Sequence, residues 1–108
     1  MPESLQIQLK KGVLEMCVLA LLSKGDNYAY DIASRMAEAV GMGEGTIYPL
    51  MRRMQNDGLV DTRLVESNSG PPRKYYRLTS SGRAAFTAQK REWRAFTDAV
   101  NQLLAGTS

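Results

Sequence analysis

The 108-residue chain has no histidine and a single cysteine, Cys17. Without histidine there is no histidine-based triad, most general acid–base schemes are lost, and the usual zinc sites are missing a standard ligand. One cysteine cannot close an internal disulfide. Lying inside the apolar stretch Val13–Leu22, it reads as a small core residue rather than a reactive thiol. No apolar run reaches the ~18 residues that a membrane span requires. The first residues lack a charged segment followed by an apolar stretch and a small-residue cleavage site, so a cytoplasmic location is the expectation. No enzyme, cofactor or metal site is expected.

Hydrophobic residues make up 44% of the chain, a globular composition, and the length suits one domain with one modest core. The net charge of +3 matters less than its distribution. Arg52, Arg53, Arg63, Arg73, Lys74, Arg77 and Arg83 are opposed in their segment only by Asp57, Asp61 and Glu66. A basic excess concentrated in one segment points to a polyanion partner; a solvated, mixed-charge surface is the plainer alternative.

Periodicity predicts six elements. Leu9–Leu22 reads as a helix that is apolar almost all round and must be covered on more than one side, in part by a second subunit. Lys24–Asn27 is a turn, with Asn27 a candidate N-cap for the amphipathic helix Ala29–Val40, which buries Ile32, Ala33, Met36 and Val40. Gly41 stops that helix. Gly45–Asp57 is a third helix, with Ile47, Leu50, Met51 and Met54 inward, Pro49 in its first turn, and Gly58 at the C′ position. Leu59–Val65 and Arg73–Leu78 alternate as strands around the polar loop Glu66–Pro72. Tyr76 and Leu78 share one face of the second strand, Tyr75 and Arg77 the other. Thr79 is a good N-cap for a last helix over Ser80–Leu104, about 35 Å long and longer than so small a domain can cover. Phe86, Gln89, Trp93, Phe96, Val100 and Leu103 recur along it every three or four residues, the pattern of a helix-docking seam.

Helix, tight turn, helix and hairpin make a winged helix-turn-helix, an α+β arrangement that is mostly α. An α-helix fits the DNA major groove and a hairpin can straddle a phosphate ridge. In this frame Thr46, Tyr48 and Arg52 lie on the second helix of the motif, where they can reach phosphates or base edges. Arg73 and Lys74 follow the hairpin tip, where a wing meets the DNA backbone.

Gly45-Thr46-Ile47-Tyr48-Pro49-Leu50-Met51-Arg52-Arg53-Met54, through Asp57-Gly58-Leu59-Val60, resembles the recognition helix of PadR-like regulators. Arg73-Lys74-Tyr75-Tyr76-Arg77-Leu78-Thr79 and Gly82 resemble their wing strand and the start of their last helix. Lys11-Gly12-Val13-Leu14 and Asn27-Tyr28-Ala29-Tyr30-Asp31-Ile32 look like the first two helices. The resemblance covers roughly Leu9 to Gly82 with the correct order and spacing. It implies a DNA-binding unit over 1–79, with Tyr28, Thr46, Tyr48, Pro49, Arg52, Arg53, Arg73, Lys74 and Tyr75 toward double-stranded DNA. It also implies a dimerisation helix over 80–108.

The short C-terminal part is similar to a smaller subgroup of that family, in which the last helix builds a homodimer. Some of its members hold flat aromatic drugs between paired tryptophans. The resemblance places Leu9, Val13, Phe86, Trp93, Phe96, Val100 and Leu103 at a dimer interface, and Gln89, Trp93, Phe96 and Val100 around a small aromatic effector. The implied function is a repressor of a palindromic operator, released by such a molecule or another signal. The alternatives are a ligand-independent regulator, in which Trp93 only anchors the dimer, and a winged-helix module that binds protein. Two departures stand out: methionines at Met51 and Met54 where leucine is expected, and a loop Ser67–Pro72 with no basic residue.

Overall fold

The computed structural model describes residues 13–108. Their order is α1 (Leu14–Ser23), β1 (Asn27–Tyr28), α2 (Ala29–Val40), α3 (Glu44–Asn56), β2 (Val60–Val65), β3 (Arg73–Leu78) and α4 (Ser80–Leu104). This is the mostly helical winged helix-turn-helix that the pattern predicts. Leu9 and the start of the first expected helix lie outside the described residues.

α1 is apolar round its circumference, and none of residues 13–22 is exposed. Leu14, Val18, Leu19 and Leu22 enter the core, with Cys17 and Leu21 at its border. Within the chain α2, β3 and α4 supply the cover. Burial pushes the Cys17 thiol above its ordinary pKa, in keeping with a packing role. Ile32, Ala33 and Met36 of α2 and Ile47, Leu50, Met51 and Met54 of α3 meet the same core, which Val60, Tyr76 and Leu78 close from the sheet side.

The turn before α2 departs from expectation. Tyr28, not Asn27, occupies the N-cap, and it makes no side-chain cap bond. Asn27 belongs instead to β1, a two-residue strand too short to leave a periodic signal. Its amide bridges locally: Oδ1 accepts from the Tyr28 N–H at 2.9 Å and Nδ2 donates to Asp31. Arg35 Nε donates to the same carboxylate at 2.7 Å.

The third helix also needs a correction. It begins at Glu44 with Gly43 as N-cap, so Pro49 is its sixth residue and lies in the second turn. Proline cannot donate there, which leaves the Gly45 carbonyl without its helical partner. Gly45 and Pro49 are both exposed, so water can satisfy that oxygen. The far end closes as expected. Gly58 has φ +77, its N–H reaches the Gln55 oxygen, and the Leu59 N–H reaches the Met54 oxygen, each at 3.0 Å. This paired closure requires the left-handed backbone that glycine adopts without strain.

The sheet runs β1-β3-β2, all antiparallel. Val60 faces Leu78 and Val65 faces Arg73, so the hairpin register carries the wing beyond the core. Leu64 sits on the same side as the buried Val60 yet is 72% exposed, because the wing has already left the domain at that point. Thr79 caps α4: Oγ1 accepts from the Gly82 N–H at 3.0 Å and donates to the Gly58 oxygen at 2.6 Å. Gly82 is the buried residue of that helix.

Candidate nucleic-acid interface

Buried Ile47, Leu50, Met51 and Met54 fix how α3 is rolled, and that roll decides where its polar residues point. Thr46, Tyr48, Arg52 and Arg53 do not share one face. Tyr48, Arg52 and Gln55 turn toward the wing, where they line a cleft with Ala29, Lys74 and Tyr76. Thr46, Pro49 and Arg53 lie on the other flank, in a depression floored by Leu14, Glu15 and Leu50. Helical spacing puts the centres of the two sets about a third of a turn apart, with Arg52 and Pro49 their adjoining members on the outward side.

The wing brings a second group together. Pairing of β1 with β3 sets Tyr28 opposite Tyr75, and their rings meet at 5.4 Å. The Arg73 guanidinium lies 4.5 Å from the centre of the Tyr28 ring, within cation–π range. Lys74 leaves the strand on the other face, with its ammonium 5.6 Å from the centre of the Tyr76 ring. Four residues expected at DNA — Tyr28, Arg73, Lys74 and Tyr75 — are therefore neighbours on one edge of the wing.

Ion pairing sorts the basic segment in a way composition did not. Arg77 binds Asp61 through Nε at 2.6 Å, and Arg63 reaches Asp26 at 3.5 Å. Among the described residues, Arg52, Arg53, Arg73 and Lys74 make no ion pair, and all four are exposed. No described carboxylate neutralises them, and an exposed cation of this kind can meet a polyanion. Burial of its ring raises the Tyr48 phenol pKa, aided by Glu44 and by the nearby phenols of Tyr30 and Tyr76. That phenol stays a hydrogen-bond donor at neutral pH.

Sequence reasoning passed over Tyr30. It is 62% exposed and lines a depression with Tyr28, Ala29, Arg73 and Lys74. Its signal was present: it falls off the stripe of Ile32, Ala33 and Met36, so α2 must turn it outward.

The residues expected at an effector or a dimer partner lie on and beside α4. A groove between α1 and α4 is lined by Val13, Glu15, Met16, Gln89, Glu92 and Trp93, and Gln89 Nε2 donates to Glu15 at 2.7 Å across it. Gln89 and Trp93 thus meet, whereas Phe96 and Val100 lie farther along the helix and do not line that groove. Phe86 packs at the border of the core. Trp93, Phe96, Leu103 and Leu104 leave 41%, 64%, 82% and 58% of their surfaces exposed, an apolar strip along the free half of α4. No helix among the described residues is long and apolar enough to cross a membrane.

The comparisons fit this geometry. The family model described as the transcriptional regulator PadR-like family matches residues 18–88. The crystal structure of a PadR-like transcriptional regulator from Bacillus cereus is 38% identical, with a TM-score of 0.84 over 92% of this chain and 98% of that one. The negative transcriptional regulator PadR of Bacillus subtilis is 32% identical over 75 residues, which are 66% of this chain but 41% of that protein. The structure of Bacillus subtilis PadR in complex with operator DNA is 27% identical, with a TM-score of 0.64 over 71% of this chain and 46% of that one. Helix order, wing and matched segment agree, and the chain belongs to the PadR-like family of transcriptional regulators.

Proposed function

We propose that the protein is a homodimeric repressor of a palindromic operator. α3 enters the major groove, with Tyr48, Pro49 and Arg52 leading, and Arg73 and Lys74 hold the flanking backbone. The observation that carries this reading is the set of exposed cations that make no ion pair among the described residues, Arg52, Arg53, Arg73 and Lys74, on the two elements that a winged helix presents to DNA. The Bacillus subtilis relative supports it: its name describes negative regulation, and its solved complex holds operator DNA. Such a regulator acts where the DNA is, in the cytoplasm.

The exposed Trp93, Phe96 and Leu103, with the half-buried Val100, serve as the dimer seam, joined by Val13, Phe86 and, from outside the described residues, Leu9. Pairing two copies along it sets the spacing of two half-sites. The groove at Gln89 and Trp93 favours an added role, in which a flat aromatic effector binds and releases the operator.

The test is binding to the DNA upstream of its own gene, followed by fluorescence anisotropy across a salt series. Binding falls steeply with salt as neutralised phosphates release counterions. The Arg52→Ala, Arg73→Ala double variant weakens it further. Salt-insensitive binding, or none to any neighbouring promoter, refutes the proposal. Quenching of Trp93 by planar aromatic compounds, lost in Trp93→Ala, tests the effector role.

A further inference from the structure

The chain has five tyrosines: Tyr28, Tyr30, Tyr48 and Tyr76 line one surface between the wing, the start of α2 and α3, and Tyr75 packs on Tyr28. Two depressions make up that surface, and they share Ala29 and Lys74. The inner one is the cleft of Tyr48, Arg52, Gln55 and Tyr76, already assigned to the groove-facing side of α3. Of the outer one, bounded by Tyr28, Tyr30, Arg73 and Lys74, that reading uses the two cations and leaves Tyr30 without a role.

Its chemistry is mixed. Tyrosine rings and the Ala29 methyl give it an apolar floor, and two cations with no ion pair among the described residues stand on its rim, leaving β3 on opposite faces. A free inorganic anion has no use for the floor, and an apolar ligand has no use for the cations. A nucleic-acid backbone unit matches both, with a deoxyribose face for the rings and a phosphate for the rim. Tyr30 is the exposed member whose ring and hydroxyl are both unspent: its side chain makes no hydrogen bond among the described residues.

We propose that this outer depression seats one sugar–phosphate unit of duplex DNA, with the Tyr30 ring against the deoxyribose and its phenol donating to the phosphate between Arg73 and Lys74. The Tyr28 ring beneath the Arg73 guanidinium acts as a positioning residue, holding that cation over the seat. The seat's cations stand just past the tip, on the first residues of β3, which accounts for a tip that carries no basic residue. The inference rests on the DNA-binding reading above.

The experiment compares wild type, Tyr30→Phe and Tyr30→Ala on the operator duplex mapped by footprinting upstream of the protein's own gene, across a salt series. Tyr30→Phe weakens binding roughly tenfold, the scale of one hydrogen bond to a charged group. Tyr30→Ala weakens it further through loss of the ring. Neither changes the salt slope, because tyrosine is neutral, whereas Arg73→Ala lowers the slope by about one per seat. A walk of single methylphosphonate substitutions then finds one phosphate in each half-site whose neutralisation harms wild type more than it harms Tyr30→Phe, because Arg73 and Lys74 remain in the variant. Thermal unfolding of both variants confirms the fold, and the conservative phenylalanine keeps the test valid if the alanine variant is damaged. If wild type binds but both variants bind within twofold of it, the seat is refuted while the DNA reading stands. If wild type binds no neighbouring promoter, both fall.

Discussion

A Cβ placed on Gly82 would lie 2.0 Å from the carbonyl oxygen of Leu59. The two nearest atoms belong to the Leu59 backbone, so moving the Leu78 side chain, also close at 3.3 Å, could not relieve the clash. The same oxygen accepts the Thr79 N–H at 3.1 Å, so this is where the end of α3, the wing and the start of α4 are pinned together. Gly82→Ala should therefore destabilise the protein by about 3 kcal/mol, the upper range for overpacking, with a Tm lower by roughly 10–20 °C. Chemical denaturation checks it, and a loss under 0.5 kcal/mol would show that the backbone yields easily.

Thr79 performs two tasks with one hydroxyl, capping α4 and holding the Gly58 carbonyl. Thr79→Ala removes both bonds and should cost about 1–2 kcal/mol. Thr79→Ser keeps the oxygen and should recover most of the loss. Equal losses in the two variants would assign the effect to the methyl group.

The ion pairs sort the arginines by function. Arg77→Ala and Arg63→Ala remove cations already bound to Asp61 and Asp26, so DNA affinity should change less than threefold, with stability changes within about 1 kcal/mol. Arg52→Ala should weaken DNA binding at least tenfold, on the scale of about 1–3 kcal/mol for a cation reading the groove. Anisotropy titrations at one salt concentration separate the two groups. A larger effect at Arg77 than at Arg52 would overturn the sorting.

Phe96 and Leu103 are exposed within the chain, so a charge at either should leave the protomer folded. In the proposed dimer both are buried. Phe96→Asp or Leu103→Asp should raise the dimer dissociation constant at least about 30-fold, the scale of a hot-spot loss. Sedimentation velocity reads this directly. A dimer of undiminished affinity would place the seam elsewhere.

The Asp31 carboxyl is held below its ordinary pKa by the hydrogen bond from Arg35 first, then by the bond from Asn27. A depressed folded-state pKa means that its contribution to stability is present above the unfolded value and is lost as pH falls through the folded one. Side-chain NMR should find Asp31 titrating below an ordinary aspartate, and Arg35→Ala should bring it back up. An unshifted value in the wild type would remove this link between β1 and α2.

The order of elements was legible because burial enforces period: the stripes of α2 and α3 and the alternation of β3 mark residues that face one core. What the sequence hid followed from geometry that leaves no period. Two-residue β1 turned Asn27 from an apparent helix cap into a strand residue. Leu64 continued the alternation of β2 past the edge of the core, where alternation no longer means burial. Thr46 and Arg53 look like partners of Tyr48 and Arg52 in a linear motif, yet the roll of α3 sends them to opposite flanks. Tyr30 was readable from its phase on α2, but its neighbours across the chain, Arg73 and Lys74, come together only through the pairing of β1 with β3.

Glu15 borders two places at once, the groove holding Trp93 and the flank of α3 holding Thr46, Pro49 and Arg53. Its bond to Gln89 ties the shared wall to α4. A wall common to two compartments cannot shift for one alone. Any occupant of the Trp93 groove that prefers a displaced α1 would alter the affinity of the Arg53 flank for its partner. That partner would alter the affinity of the groove for its occupant by the same factor. The first helix, packed against both α4 and β3, is thus the beam through which the two ends of the molecule would weigh on each other.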